Sequence, residues 1–138
     1  MKILMTDDDS DDRMMALLAF KKLNAAHSID FVTNGQELID YLNLRINSGG
    51  DLPDLILLDL NMPKKNGREV LQELKQHPVF KSIPVVVYTT TKNEMEIRRC
   101  YELGANTYIV KPARFEALLK VVEDVRNYWF GTASIPSF

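Results

Sequence analysis

The sequence predicts an α/β fold in which five parallel strands are covered by helices on both faces. Three observations predict it. Five short apolar runs alternate with five longer amphipathic stretches along the 138 residues. Two of those runs, Leu55 to Leu58 and Val85 to Tyr88, are continuous rather than alternating, as strands buried on both faces require. Turn-forming residues punctuate the boundaries: Asn34-Gly35 after the second run, Asn47-Ser48-Gly49-Gly50 before the third and Gly104-Ala105-Asn106 before the fifth.

The first strand is Ile3-Leu4-Met5. Asp9 or Ser10 caps the helix after it, Met14, Leu17 and Leu18 mark that helix's apolar face, and Met14 and Met15 read as core. Ile29-Asp30-Phe31-Val32 is the second strand, followed by a helix marked by Leu38, Tyr41 and Leu42. After the third strand, Gly67, Val70, Leu71 and Leu74 fall at i, i+3, i+4 and i+7, one face of a helix. The fourth run is dominated by β-branched residues, which argues for a strand over a buried helical turn. A helix is read over Glu94 to Leu103, although Met95, Ile97, Cys100, Tyr101 and Leu103 are spread widely around it. Tyr108-Ile109-Val110 is the fifth strand, and Phe115, Leu118, Leu119 and Val122 repeat the helical spacing. Either an open sheet or half a barrel satisfies this alternation. Five strands in 138 residues favour the open, flavodoxin-like (βα)₅ three-layer sandwich, with strand order 2-1-3-4-5. One domain over residues 1–130 and a tail over 131–138 are expected.

Composition narrows the function. Hydrophobic residues at 46%, charged residues at 26% and a net charge of −2 describe an ordinary globular chain. That charge gives no general attraction to nucleic acid or to an anionic membrane, so neither is expected as a partner. The lone Cys100 cannot form an intrachain disulfide and suits a reducing compartment; it reads as packed in a helix. The opening apolar run is too short for a signal peptide, and no window approaches roughly 18 consecutive apolar residues. A cytoplasmic location is expected. His27 and His77 have no ligand neighbours in sequence and carry no metal reading.

In such a sheet ligands bind beyond the carboxyl ends of the strands. Asp7, Asp8 and Asp9 follow the first strand, Asp59 and then Asn61 the third, Thr89, Thr90 and Thr91 the fourth, and Lys111 the fifth. An acid run such as Asp7 to Asp12 is often only a solvated loop, and a lysine before Pro112 is often an exposed one. The fold, however, gathers all four groups at one edge. Carboxylates brought together repel unless a cation lies between them. An all-oxygen ligand set points to Mg²⁺, Mn²⁺ or Ca²⁺. Asp59 is then free to attack a phosphoryl group, while Lys111 and the Thr89 hydroxyl stabilise its oxygens.

These residues resemble the response-regulator receiver family of two-component systems over nearly the whole chain. The carrying motifs are Asp7-Asp8-Asp9, Leu57-Leu58-Asp59-Leu60-Asn61-Met62-Pro63 with Gly67, Val87-Tyr88-Thr89-Thr90, and Tyr108-Ile109-Val110-Lys111-Pro112. The resemblance implies Asp59 as phosphoacceptor, and Mg²⁺ held by Asp8 directly, by Asp7 through water, by Asp59 and by the backbone carbonyl of Asn61. It implies Thr89 and Lys111 as phosphoryl contacts, Thr89 and Tyr108 as the switch, and a cis Lys111-Pro112 peptide. Ser10-Asp11-Asp12, the long second helix and a tail reading Tyr128-Trp129-Phe130 then Ile135-Pro136 are similar to the single-domain regulators associated with cyanobacterial phytochromes.

The implied donor is a phosphohistidine on a sensor histidine kinase or phosphotransfer protein, and the implied output a shifted surface on the fourth helix, fifth strand and fifth helix. Asn61 and Thr91 flank the water of dephosphorylation, and neither is a carboxylate. Phe115, Leu118, Leu119, Val122 and Trp129 fill the inner face of the last helix, and Val121, Tyr128 and Phe130 exceed it. Either the tail folds back over its own domain or, the favoured reading, these residues form a homodimer surface through the last helix and tail. A dehalogenase-like phosphatase would want its nucleophile on the first strand and a second acid where Asn61 stands. A flavodoxin would want a phosphate-cradling loop where Asp7 to Asp9 stand. A receiver-like scaffold that only binds partners would have an incomplete site.

Overall fold

The computed structural model describes residues 1–23 and 28–138. One parallel sheet runs through it in the order β2-β1-β3-β4-β5, from β1 (Lys2–Thr6), β2 (Ser28–Val32), β3 (Leu55–Leu58), β4 (Val85–Thr89) and β5 (Thr107–Val110). The helices between them are α1 (Ser10–Lys22), α2 (Gly35–Ser48), α3 (Gly67–Gln76), α4 (Glu94–Glu102) and α5 (Phe115–Asn127). The predicted order and all ten elements are present.

The period-2 geometry of a strand sends successive side chains to opposite faces, and this divides the core in two. Ile3, Met5, Leu55, Leu57, Val86 and Tyr88 pack under α1 and α5. Leu4, Ile56, Leu58, Val85 and Val87 pack under α2, α3 and α4. The first four helices begin at a polar side chain that accepts from the orphan amides of the first turn, whereas α5 starts at Arg114 without a side-chain cap. Asp9 caps α1, Asn34 caps α2, Asn66 forms a capping box with Glu69 on α3, and Asn93 caps α4.

The α1 helix turns a different face inward from the one predicted. Ala16, Ala19 and Phe20 are buried, whereas Met14 and Leu18 are 56% and 47% exposed. The cap at Asp9 fixes the helical phase, and the inward positions hold small alanines that let α1 lie close to the sheet. Met15 is half-buried against the same core. The last helix also departs from prediction: of Val121, Tyr128 and Phe130, Val121 and Phe130 pack against the chain's own core beside Trp129, and only Tyr128 is exposed. A wider π turn at Tyr128–Thr132 extends the helix and folds these rings back.

Cys100 is buried and free, and burial pushes its thiol up to about 11, so it packs rather than reacts. His77 caps α3, where Nδ1 accepts from the Val79 and Phe80 amides and the ring stacks on Phe80. The reading of His27 lies outside the described residues. At the opposite end of the sheet from the acids, Lys75 Nζ donates to the carbonyls of Lys81 and Ile83 and to Asn106 Oδ1. Among the described residues, no helix is long and apolar enough to cross a membrane.

A tight backbone approach lies at Gly67, whose amide donates to the Leu60 carbonyl at 3.0 Å. A Cβ there would run into the Asp59 carbonyl and stand 2.6 Å from Leu60 Cα. Gly67→Ala is therefore expected to cost about 3 kcal/mol, the upper end of ordinary overpacking. Urea unfolding of parent and variant checks this; an unchanged midpoint would show that the β3–α3 turn is slack.

Candidate functional site

Three backbone hydrogen bonds carry the sheet ladder one residue past the strand ends and fix the site. The Asp7 amide donates to the Val32 carbonyl (3.1 Å), the Asp59 amide to the Thr6 carbonyl (3.0 Å) and the Lys111 amide to the Thr89 carbonyl (2.7 Å). These bonds hold Asp7, Asp59 and Lys111 at one rim, as the alternation predicts. Between them the β3–α3 loop turns at Lys64, which takes φ +59°, and the Lys65 carbonyl accepts from the Gly35 amide.

Asp7, Asp8 and Asp59 each offer a carboxylate oxygen within 4.8 Å of the others. Asp7 and Asp59 are buried while Asp8 faces out. Such a set repels itself unless a cation intervenes, and here the Lys111 ammonium does so. Its Nζ donates to Asp7 Oδ2 at 2.6 Å, Asp12 Oδ2 at 2.7 Å and Asp59 Oδ2 at 3.2 Å. An ammonium has three N–H donors, and all three are used on carboxylates. Burial alone would push the Lys111 pKa down. The hydrogen bonds to Asp12 and Asp7, with the charges of Asp7 and Asp59, outweigh it and hold the ammonium above the usual lysine range. Burial pushes Asp7 up to about 6, the Asp59 charge adding to it and the Lys111 and Asp9 bonds opposing. The Lys111 ammonium also lies 5.7 Å from the Tyr88 ring centroid, a cation–π contact that closes one side of the site.

Thr89 Oγ1 is buried without a hydrogen-bond partner, an uncommon state for a hydroxyl, and leaves a donor available to an incoming oxyanion. Asn61 donates its amide to Asp59 Oδ1 (3.3 Å) and its Nδ2 to Thr91 Oγ1 (3.4 Å), so these two side chains meet across the mouth. The Tyr108 hydroxyl donates to the Thr91 carbonyl at 2.8 Å, which ties β5 to the β4–α4 loop.

Two features differ from the reading of the sequence. The Lys111-Pro112 peptide is trans, since there is no cis peptide among the described residues. The trans form is the lower-energy isomer by about 0.5–1 kcal/mol, and with it Lys111 still reaches Asp7, Asp12 and Asp59. Asp12 is a site residue that sequence reasoning left in a solvated acid run. Its position in the first turn of α1, five residues past Asp7, is the signal that pointed to it.

The donor set suits a divalent cation. It is all oxygen, one member faces solvent, and its charge exceeds what one ammonium neutralises.

A doubly wound parallel sheet with an acidic cluster, a lysine and an unpartnered threonine hydroxyl at its carboxyl edge defines a phosphoacceptor signalling domain. The chain belongs to the response regulator receiver domain family, whose model matches residues 3–123. It is 38% identical over 129 residues to the probable methanogenesis regulatory protein FilR2 of Methanothrix harundinacea, covering 94% of this chain and 83% of that protein. It is 37% identical over 136 residues to the response regulator Rcp1 of Synechocystis, covering 98% and 92%. The Mn²⁺-bound structure of Rcp1 superposes with a TM-score of 0.88 over 99% of each chain. The structure of the phosphorylated cyanobacterial phytochrome response regulator RcpA superposes at 0.90, with 40% identity over 99% of this chain and 98% of that one. The similarity to phytochrome-associated regulators read from the sequence thus holds, and the phosphatase and flavodoxin alternatives fall away.

The chemistry of Asp7 gives opposite pH trends with and without metal. In metal-free buffer its raised pKa means that ionisation costs the folded state. The stability it lends is complete below its unfolded pKa near 3.8 and is lost as pH rises through about 6. The stability of Asp7→Asn relative to parent should therefore increase across that window. With Mg²⁺ the trend reverses, because protons and metal compete for the carboxylate: the rise in melting temperature on adding Mg²⁺ should be large at pH 8 and shrink below pH 6. At a hundredfold excess over Kd the metal adds about 2.7 kcal/mol. Asp8→Asn should abolish that increment; thermal scans with and without Mg²⁺ check both, and an Asp8→Asn protein that still responds refutes the ligand set.

Proposed function

We propose that this chain accepts a phosphoryl group on Asp59 from a phosphohistidine of a sensor histidine kinase or phosphotransfer protein. The observation that carries this reading is the Asp59 carboxylate itself, grouped with those of Asp7 and Asp8 and 3.2 Å from the Lys111 ammonium. One Asp59 oxygen attacks phosphorus in line, an O–P bond forms, and the P–N bond to the donor imidazole breaks. The imidazole leaves with that electron pair and takes a proton from solvent. Lys111 and the Thr89 hydroxyl hydrogen-bond the transferred oxygens. A divalent cation, Mg²⁺ or Mn²⁺, would be held by Asp7, Asp8, Asp59 and the Asn61 carbonyl, and supplies positive charge that offsets the developing anion. Support for it comes from the oxygen donor set and from the Mn²⁺-bound form of Rcp1.

The output in this reading is a change on α4, β5 and α5. Drawing Thr89 towards the phosphoryl group shifts the β4–α4 loop and breaks the Tyr108–Thr91 hydrogen bond, which frees the Tyr108 ring to move inward. The new bonds to the phosphoryl group are the differential contact that a two-state switch needs. We assign Asn61 and Thr91 to the flanks of the dephosphorylating water. Because neither is a carboxylate, the phospho-form decays over minutes, and Thr91→Ala leaves that lifetime little changed. A homodimer through the C-terminal helix remains part of the reading, although Tyr128 and Phe138 are the large apolar side chains exposed there. The buried free thiol suits a cytoplasmic location.

Phosphotransfer from a labelled donor with Mg²⁺ should label the parent and leave Asp59→Asn unlabelled. Beryllofluoride should shift resonances around Tyr108 in the parent. Label retained by Asp59→Asn would remove the assignment, and a phospho-form lasting seconds that Thr91→Ala extends to minutes would remove the dephosphorylation reading. Light scattering at high concentration, with and without beryllofluoride, tests self-association; a monomer in both refutes the dimer.

A further inference from the structure

The lysine of this site has a partner that neither the metal nor the phosphoryl group claims. Of the three carboxylates on Lys111, Asp7 and Asp59 belong to the cluster that suits a cation, and Asp12 does not. A metal that takes up Asp7 draws that carboxylate's charge away from the lysine. Phosphorylation removes the free Asp59 carboxylate altogether. Only the bond to Asp12, at 2.7 Å, is independent of both events.

Asp12 is itself held from below. Its amide donates to Asp9 Oδ1 at 3.2 Å as part of the α1 cap. The neighbouring Arg13 reaches back to the Asp7 carbonyl at 2.8 Å, fastening that first turn to the end of β1. The Asp12 side chain is 37% exposed, while Lys111's is only 7% exposed, so the carboxylate stands at the rim and reaches inward to the buried ammonium.

We propose that Asp12 is a positioning residue for Lys111: its carboxylate keeps the ammonium fixed beside Asp59 throughout metal binding and phosphoryl transfer. The proposal deepens the phosphoacceptor reading and rests on it. A free lysine tip would swing among several rotamers once Asp7 turned to the metal, and oriented charge is worth far more than mobile charge at a reacting centre.

The test follows the ammonium and the reaction separately. In ¹⁵N spectra the Lys111 ammonium of the parent should give a slowly exchanging signal both without and with Mg²⁺. In Asp12→Ala that signal should vanish when Mg²⁺ is added, and in Asp12→Asn, which keeps an oxygen acceptor, it should partly survive. Phosphoryl transfer at saturating donor and Mg²⁺ should slow about tenfold in Asp12→Ala and less in Asp12→Asn. Mg²⁺ affinity by calorimetry should fall equally in Asp12→Ala and Asp12→Asn, since each removes one negative charge, and the transfer rates are therefore compared at saturating Mg²⁺. In a Lys111→Ala background, Asp12→Ala should cause no further loss, because the effect runs through the lysine. Asp12→Ala transferring at the parental rate, or losing the same factor without Lys111, overturns the proposal. If Asp12→Ala does not fold, Asp12→Asn carries the same comparisons. A parent that takes no label defeats the phosphoacceptor reading instead, and the ammonium signal still decides the role of Asp12.

Discussion

One ammonium group makes this rim possible. Asp7 and Asp59 are both buried, and Asp8 and Asp12 stand beside them at the solvent edge. Taken out of water without compensation, charges of one sign at this spacing would drive the strand ends apart or take up protons. Lys111 prevents that by bonding Asp7, Asp12 and Asp59 at once. The compensation is incomplete, and the incompleteness matters: four carboxylates and one cation leave a negative excess at a place open to solvent through Asp8. The same excess attracts a divalent ion and holds off an unaccompanied phosphate.

The strands deliver these groups through backbone bonds rather than through side-chain packing. Asp7, Asp59 and Lys111 each continue a ladder for one residue beyond the strand, so their Cα positions are as fixed as the sheet itself. The alternation of strand side chains then determines what lies beneath them. Leu58 and Val87 seal the α2–α4 side, and Leu57 and Tyr88 the α1–α5 side. Thr89 closes the last position of β4, its hydroxyl buried and unpartnered, where the apolar core gives way to the polar rim.

Most of this was legible before any coordinates because apolar continuity marks buried parallel strands and the polar residue after each strand has only one place to go. Asp7, Asp8, Asp59, Thr89 and Lys111 were found in that way. The first helix was misread for a physical reason: bulk suggested Met14 and Leu18, but close packing against the sheet selected Ala16 and Ala19, whose small side chains leave a faint pattern. Asp12 was hidden by its neighbours, since six residues from Asp7 to Asp12 include five acids and only the phase of α1 tells which one turns back. The trans Lys111-Pro112 bond and the inward fold of Phe130 depend on contacts between distant segments, which no local spacing reports.

The outer margin of β5 shows how the sheet ends. This strand lies at one side of the order and presents amides with no neighbouring strand to receive them. One of these, on Tyr108, is taken by the Tyr101 hydroxyl from α4 at 3.1 Å. A phenol laid against an open ladder occupies the donor that a foreign chain would need to extend it. The bond thus removes one docking point from the open edge, and the helix that bears it is the neighbour of the strand it covers.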